Sequence, residues 1–208
     1  WSTVPVQSTP TATGLIAGTY TVSVIDANGC GPVTGVAVIT ELPPLTVNPA
    51  ISTPITCAGD SAIITLSASG GTAPYIYVFN GVIQPDDSVF TSIPAGNGYI
   101  WSVTDSNGCG PVSGVLNVTE PDSINGSALV LIPPPCIGAT ATVVVSATGG
   151  TLPYTFTFNG VTQIGNGVFT GVLAGTGYTW SVTDANGCAP DSGLLDITEP
   201  PIPSASAS

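Results

Sequence analysis

Gly98-Tyr99-Ile100-Trp101-Ser102-Val103-Thr104-Asp105-Ser106-Asn107-Gly108-Cys109 reads as a strand running into a turn. Aromatic and β-branched residues dominate it up to Thr104, and Ser106-Asn107-Gly108 then supplies the chemistry of a tight reversal. The pattern comes three times. Cys30, Cys109 and Cys188 lie 79 residues apart, and so do Tyr20, Tyr99 and Tyr178. Trp101 and Trp180 keep the same interval, as do Cys57 and Cys136. A period of 79 residues, carrying its own cysteine pair and aromatic set, is longer than common solenoid units and describes a row of small self-contained domains.

Outward from that stretch, Ala62–Ser67, Tyr75–Phe79 and Val115–Thr119 are further short strand candidates. Turn chemistry separates them at Gly70-Gly71-Thr72-Ala73-Pro74, Asn80-Gly81 and Ala95-Gly96-Asn97-Gly98. With 26 Gly, 20 Pro and no long segment of helical period, helices have almost nowhere to form. About seven short strands per unit predict an all-β chain of tandem immunoglobulin-like or fibronectin-like β-sandwiches. Complete units are expected at 45–124 and 125–203, each closing in Thr-Glu-Pro. Residues 1–44 match only the C-terminal part of a unit, with Trp1 falling near Phe79 and Phe158, and 204–208 read as the start of a next repeat or a linker. Trp101 and Trp180 are expected in the core, beside a disulfide.

Twelve acidic residues and no Lys, Arg or His give a formal charge of −12. Without a cation the chain cannot neutralise phosphates, which argues against nucleic acid as a partner. Only 6% of residues are charged while 43% are hydrophobic, so disorder of the charge-rich kind does not fit. No uninterrupted apolar run reaches the length of a membrane span.

Five cysteines in a chain rich in Thr, Ser, Gly and Pro point to an oxidising, secreted setting. Cys57 to Cys109 and Cys136 to Cys188 are both separations of 52 residues, and the repeat selects one bond per complete unit: Cys57 with Cys109, Cys136 with Cys188. Cys30 is then left over. Each such loop closure stabilises its unit by roughly 4 kcal/mol on the chain-entropy model. A zinc site wants clustered Cys and His, and a catalytic thiol wants a base; neither is present.

Catalysis has little to work with. General acid/base chemistry would fall on Asp and Glu alone, and the adjacent pair Asp86-Asp87 is replaced in the other complete unit by Gly165-Asn166. The chain is therefore expected to be no enzyme and to need no cofactor. Asp-x-Asn-Gly, at Asp26, Asp105 and Asp184, resembles the first half of a calcium loop, but no bidentate Glu follows at the right distance. Asn-Gly before Cys makes a good turn by itself, and the turn is the preferred reading, with metal at these three Asp as the alternative.

Ala17-Gly18-Thr19-Tyr20-Thr21-Val22-Ser23-Val24-Ile25-Asp26-Ala27-Asn28-Gly29-Cys30, its relatives ending in Cys109 and Cys188, and the Gly-Gly-Thr-x-Pro-Tyr elements at 70–75 and 149–154 carry a resemblance. Together they resemble the SprB-type repeat of giant cell-surface adhesins of Bacteroidota, gliding-motility adhesins included. The resemblance covers all three units and implies a secreted, repetitive surface protein with no shared enzymatic activity. Asp60-Ser61-Ala62, Asp87-Ser88-Val89 and Asp122-Ser123-Ile124 are in turn similar to the O-glycosylation acceptor of that lineage, making Ser61, Ser88 and Ser123 candidate glycan sites. Asn117-Val118-Thr119 and Asn125-Gly126-Ser127 fit the N-linked sequon.

Two functions follow as expectations. In the first the chain is a stalk or head-to-tail filament subunit of a bacterial surface fibre, with neighbouring copies as partners and covalent glycans on its surface. Residues 1–44 would be completed by strands from an adjoining chain or from upstream sequence. The alternative is a surface adhesin whose domains bind carbohydrate, with calcium as an aid.

Overall fold

Residues 1–203 are described by a computed structural model, and among them the chain forms sixteen β-strands and no helix. The segment 204–208, expected to open a further repeat or linker, lies outside the described residues. At the N-terminal side, β1 (Gly18–Val24) and β2 (Val33–Ile39) make a two-stranded hairpin. Seven strands follow: β3 (Thr46–Thr53), β4 (Ala62–Ser69), β5 (Ile76–Phe79), β6 (Val82–Pro85), β7 (Val89–Ile93), β8 (Gly96–Thr104) and β9 (Val112–Val118). Strands β3-β4-β7 pair in that order in one sheet and β6-β5-β8-β9 in the other, every pair antiparallel.

The two sheets face each other because each strand is apolar on one side only. Along β4, Ala62, Ile64 and Leu66 are buried and alternate with partly exposed Ile63 and Thr65. They meet Tyr77, Phe79, Trp101, Val103 and Val118 from the opposite sheet. The Phe79 ring lies 5.4 Å from both Phe90 and Tyr99. This is an immunoglobulin-like sandwich built over one core. Pro49, which cannot donate to a ladder, sits in β3 at the sheet edge, where that donor is not needed. Asn80 and Gly81 join β5 to β6 with φ of 47° and 82°, both left-handed as a two-residue hairpin turn requires.

Trp101 is buried as expected, but it does not pack beside a disulfide. No cysteine belongs to the core cluster. The indole lies over Gly114, its cross-strand partner, where a Cβ would sit 2.6 Å from Cζ2. Any larger residue there would push the ring out.

The same arrangement returns in β10 (Asn125–Ile132), β11 (Ala141–Thr148), β12 (Thr155–Phe158), β13 (Val161–Ile164), β14 (Val168–Val172), β15 (Gly175–Thr183) and β16 (Asp191–Ile197). The sheets are β10-β11-β14 and β13-β12-β15-β16, closing on Val143, Val145, Phe156, Phe158, Phe169 and Val182.

Strand direction decides which loops are neighbours. The chain enters each sandwich at a leading end, and each strand carries it to the opposite end and back. The β4–β5 and β8–β9 connections therefore lie at the leading end of the first sandwich. The β3–β4 connection and the exit linker lie at its trailing end.

Candidate functional site: the junction between repeats

The leading end is organised by one carboxylate. Asp105 is only 3% exposed, and its Oδ1 accepts the N–H groups of Asn107 (3.0 Å) and Cys109 (2.7 Å). Its Oδ2 reaches across to the β4–β5 loop and accepts the Thr72 N–H at 2.9 Å. Asn107 Nδ2 then donates to Thr72 Oγ1 at 2.8 Å. Gly-Gly-Thr-x-Pro-Tyr and Asp-x-Asn-Gly-Cys are thus the two sides of a single node. Asp184 repeats it with Asn186, Cys188 and Thr151. In the N-terminal hairpin Asp26 Oδ1 accepts from Asn28 and Cys30 in the same way.

These bonds set the electrostatics. Burial works to raise the Asp105 pKa, but the N–H donors of Cys109, Thr72 and Asn107 favour the charged form and hold it below the usual carboxylate value. Asp184 is lowered in the same sense, desolvation being outweighed by the N–H groups of Cys188, Thr151, Asn186 and Gly187. As for the calcium alternative at Asp26, Asp105 and Asp184, these carboxylate oxygens point at backbone donors. Among the described residues no group of three or more acidic, Cys or His side chains converges as a metal site would need.

The node also grips the incoming linker. Gly150 donates its N–H to Asp122 O at 2.7 Å, and Gly71 does the same to Pro43 O at 2.7 Å. The chain passes so closely that a Cβ on Gly149, at φ +72°, would stand 2.0 Å from Ser123 O.

At the trailing end, the Cys57 loop closes on itself through Asp60 N–H to Cys57 O (3.1 Å). Gly59 N–H donates to Glu120 Oε2 at 2.6 Å, so the Glu of the exit Thr-Glu-Pro holds the cysteine loop. Glu199 and Gly138 repeat this at 2.8 Å. Nothing in the composition singled out these two Glu; their recurrence after 79 residues was the available signal.

The trailing end of one sandwich meets the leading end of the next, and a covalent bond joins them. Cys57 is disulfide-bonded to Cys188, with Cα atoms 5.4 Å apart and 131 residues between them in sequence. This corrects the pairing read from the sequence. Neither Cys57–Cys109 nor Cys136–Cys188 forms, and Cys30, Cys109 and Cys136 are exposed free thiols. The reason is geometric: Cys57 and Cys109 sit at opposite ends of one sandwich, separated by the length of β8, nine residues or about 30 Å. A disulfide tolerates about 7 Å between Cα atoms at most. Asn186 Nδ2, from the leading node, adds a direct hydrogen bond across the junction to Thr56 O at 3.0 Å.

Among the candidate glycan sites, Ser61 precedes β4 and Ser123 lies in the inter-unit linker, both exposed, while Ser88 is half-buried just before β7. The three are spread over the unit and its linker instead of gathering at one place. Of the sequon residues, Asn117 turns its Oδ1 to the Gly98 N–H at 2.8 Å, and Asn125 is exposed at the start of β10.

Residues 50–82, from β3 into the first position of β6, match the SprB repeat. The matched segment includes Gly-Gly-Thr-Ala-Pro-Tyr, and its counterpart 79 residues on reads Gly-Gly-Thr-Leu-Pro-Tyr. SprB repeats are a cell-surface family, and no helix among the described residues is long and apolar enough to cross a membrane. No curated protein matches the sequence.

Among solved structures, a C-terminal 282-residue fragment of intimin, in complex with the intimin-binding domain of the translocated intimin receptor, matches at 13% identity over 76% of this chain and 64% of its own, TM-score 0.43. Three N-terminal domains of the highly immunogenic outer capsid protein of bacteriophage RB49 match at 14% over 74% and 58%, TM-score 0.42. A central fibronectin-III array of RIM-binding protein matches at 13% over 77% and 71%, TM-score 0.27. The chain thus spans under two thirds of the first two fragments, and likenesses this loose carry no argument.

Proposed function

We propose that this surface-associated repeat protein is a non-enzymatic structural element, a stalk or head-to-tail filament subunit of a bacterial surface fibre, glycosylated at Ser61, Ser88 and Ser123. The observation that carries the reading is the Cys57–Cys188 bond across the junction. A bond inside a domain would stabilise that domain; a bond between domains fixes one on the next and changes how the array bears load. When the ends of the chain are pulled apart, tension reaching Cys57 passes through the sulfur bridge to Cys188. The residues between them carry none, so unfolding within 58–187 adds no length to the array. The linker clamps at Gly71 and Gly150 support the same rigidity.

Single-molecule pulling tests this. The 131-residue separation corresponds to roughly 450 Å of extended chain. That length should be missing from the unfolding trace of the oxidised protein and return on reduction; an oxidised chain that releases it is no load-bearing staple. A glycan array should stay blank for a stalk, and specific binding there would favour the carbohydrate-binding adhesin. Intact-mass analysis of natural material should show hexose-containing additions on peptides with Ser61, Ser88 and Ser123. Unmodified masses would remove the glycan coat.

A further inference from the structure

We infer that Asn186 is a site of spontaneous deamidation and that the junction between the two sandwiches is its gate: held across the joint the amide is protected, and opening the joint releases it. The inference goes beyond the stalk reading and does not need it. Its chemistry belongs to the pair Asn186-Gly187. Gly187 has no Cβ, so its backbone nitrogen is unhindered and can attack Cγ of Asn186. The N–Cγ bond forms, the Cγ–Nδ2 bond breaks, and Nδ2 leaves as ammonia, carrying off the proton of the Gly187 amide. Water then opens the five-membered succinimide at either carbonyl, giving aspartate or isoaspartate. No oxidant is needed, and Asn186 is exposed to the water that completes the reaction.

The rate depends on the freedom of the side chain, because Cγ must swing over the glycine nitrogen. Asn107-Gly108 is the internal comparison. It occupies the same turn one repeat earlier, and Asn107 is exposed as well. There Nδ2 donates to Thr72 Oγ1 at 2.8 Å, and Gly108 N–H donates to Asp105 O at 3.1 Å. Asn186 has both counterparts, Nδ2 to Thr151 Oγ1 at 3.1 Å and Gly187 N–H to Asp184 O at 3.2 Å. It has one bond more, from Nδ2 to Thr56 O of the preceding sandwich at 3.0 Å, beside the Cys57–Cys188 bridge. Thr56 adjoins Cys57 and Asn186 lies two residues before Cys188, so the bridge holds this acceptor in place. Once the bridge is reduced and the joint opens, Asn186 keeps only the bonds that Asn107 has. Deamidation then makes the opening one-way. A carboxylate at 186 has no N–H to give Thr56 O, and an isoaspartate lengthens the backbone just before Cys188, so the joint cannot close on its former geometry.

The test incubates the folded chain in mildly alkaline buffer, with and without a phosphine reductant, and follows both sites by mass spectrometry. Quenched samples are reduced and cut with chymotrypsin. Cleavage after Trp and Leu places Asn107 in 102–116 and Asn186 in 181–194, each the sole asparagine of its peptide. Rates in guanidinium normalise the two sites for their preceding neighbours, Ser106 and Ala185. In the oxidised folded chain Asn186 should deamidate about two- to ten-fold more slowly than Asn107, the factor that one extra net hydrogen bond supplies. Reduction, or Cys57→Ser without reductant, should bring Asn186 up to the Asn107 rate while Asn107 keeps its own. Equal rates in the oxidised chain, or an Asn186 rate that neither reduction nor Cys57→Ser changes, overturn the inference. A rise at both sites alike would mean that unfolding, and not the joint, frees Asn186, and overturns it too.

Discussion

Val24 and Val103 occupy the same position of the same repeat, yet Val24 is 59% exposed and Val103 is 0% exposed. Each stands on the inward face of its hairpin, β1–β2 or β8–β9, after a Tyr whose hydroxyl donates to a carbonyl upstream: Tyr20 to Ile16 O at 2.9 Å, Tyr99 to Pro94 O at 3.0 Å. The hairpins are alike because both strands and their turn are local in sequence. What differs is the opposing sheet. Residues 46–93 supply β3, β4 and β7 over Val103; residues 1–44 contain no counterpart of β3, β4 or β5.

Residues 1–17 align with the region of β6 and β7 but form neither strand, since the ladders those strands join, β5 and β4, are missing from this part of the chain. In their place lies an open groove of about 860 Å³, lined by Trp1, Gln7, Val22 and Val24 among others. Local sequence makes the hairpin; burial comes only from strands distant along the chain.

The junctions differ in the same way, and breaking the stapled one should have the largest effect. Cys57→Ser or Cys188→Ser turns the junction between the two sandwiches into an unbridged one like that before Thr46. On the chain-entropy model it removes about 5 kcal/mol for a 131-residue loop. Denaturant unfolding of the oxidised variant against the oxidised parent measures the loss, and an unchanged midpoint would show that the bridge stabilises nothing.

The paired valines give a smaller and sharper contrast. Val103→Ala removes two buried methyl groups from a closed core and should cost about 2 kcal/mol, whereas Val24→Ala should stay within about 0.5 kcal/mol. Equal losses at both sites, measured by thermal or denaturant unfolding, would mean that the face of the N-terminal hairpin is covered in solution.

Acid provides the gentlest probe. The folded pKa values of Asp105 and Asp184 are depressed, so their contribution is complete above the unfolded value near 3.9 and is lost as pH falls through the folded values. Stability of the two sandwiches should therefore be flat from neutrality down to about pH 4.5 and decline below about pH 4. Asp105→Asn and Asp184→Asn should each flatten part of that decline in a pH series of unfolding midpoints.

The fold was legible because alternation and turn chemistry are local signals: Asn80-Gly81 and the run from Ala62 to Ser67 place their turn and strand without help. The all-β immunoglobulin-like class followed. The disulfides did not, because equal separations of 52 residues inside each unit point to a bond within it, whereas the bond formed is Cys57–Cys188 between units. Both Cys57 and Cys109 lie in connections, and five strands, β4 to β8, run between them. An odd number of crossings puts two loops at opposite ends, so the period correctly related the cysteines but could not say which copies touch. The contact between Thr72 and Asp105 was hidden for a similar reason: two motifs 33 residues apart become one node only once β4–β5 and β8–β9 share an end.

The central claim is that the repeat's cysteines bridge units and do not close them, and a non-reducing digest of the folded, oxidised chain tests it directly. Cleavage at Asp and Glu should yield the peptide containing Cys57 joined to the one containing Cys188, with none joining Cys57 to Cys109. Recovery of Cys57–Cys109 together with Cys136–Cys188 would contradict the account.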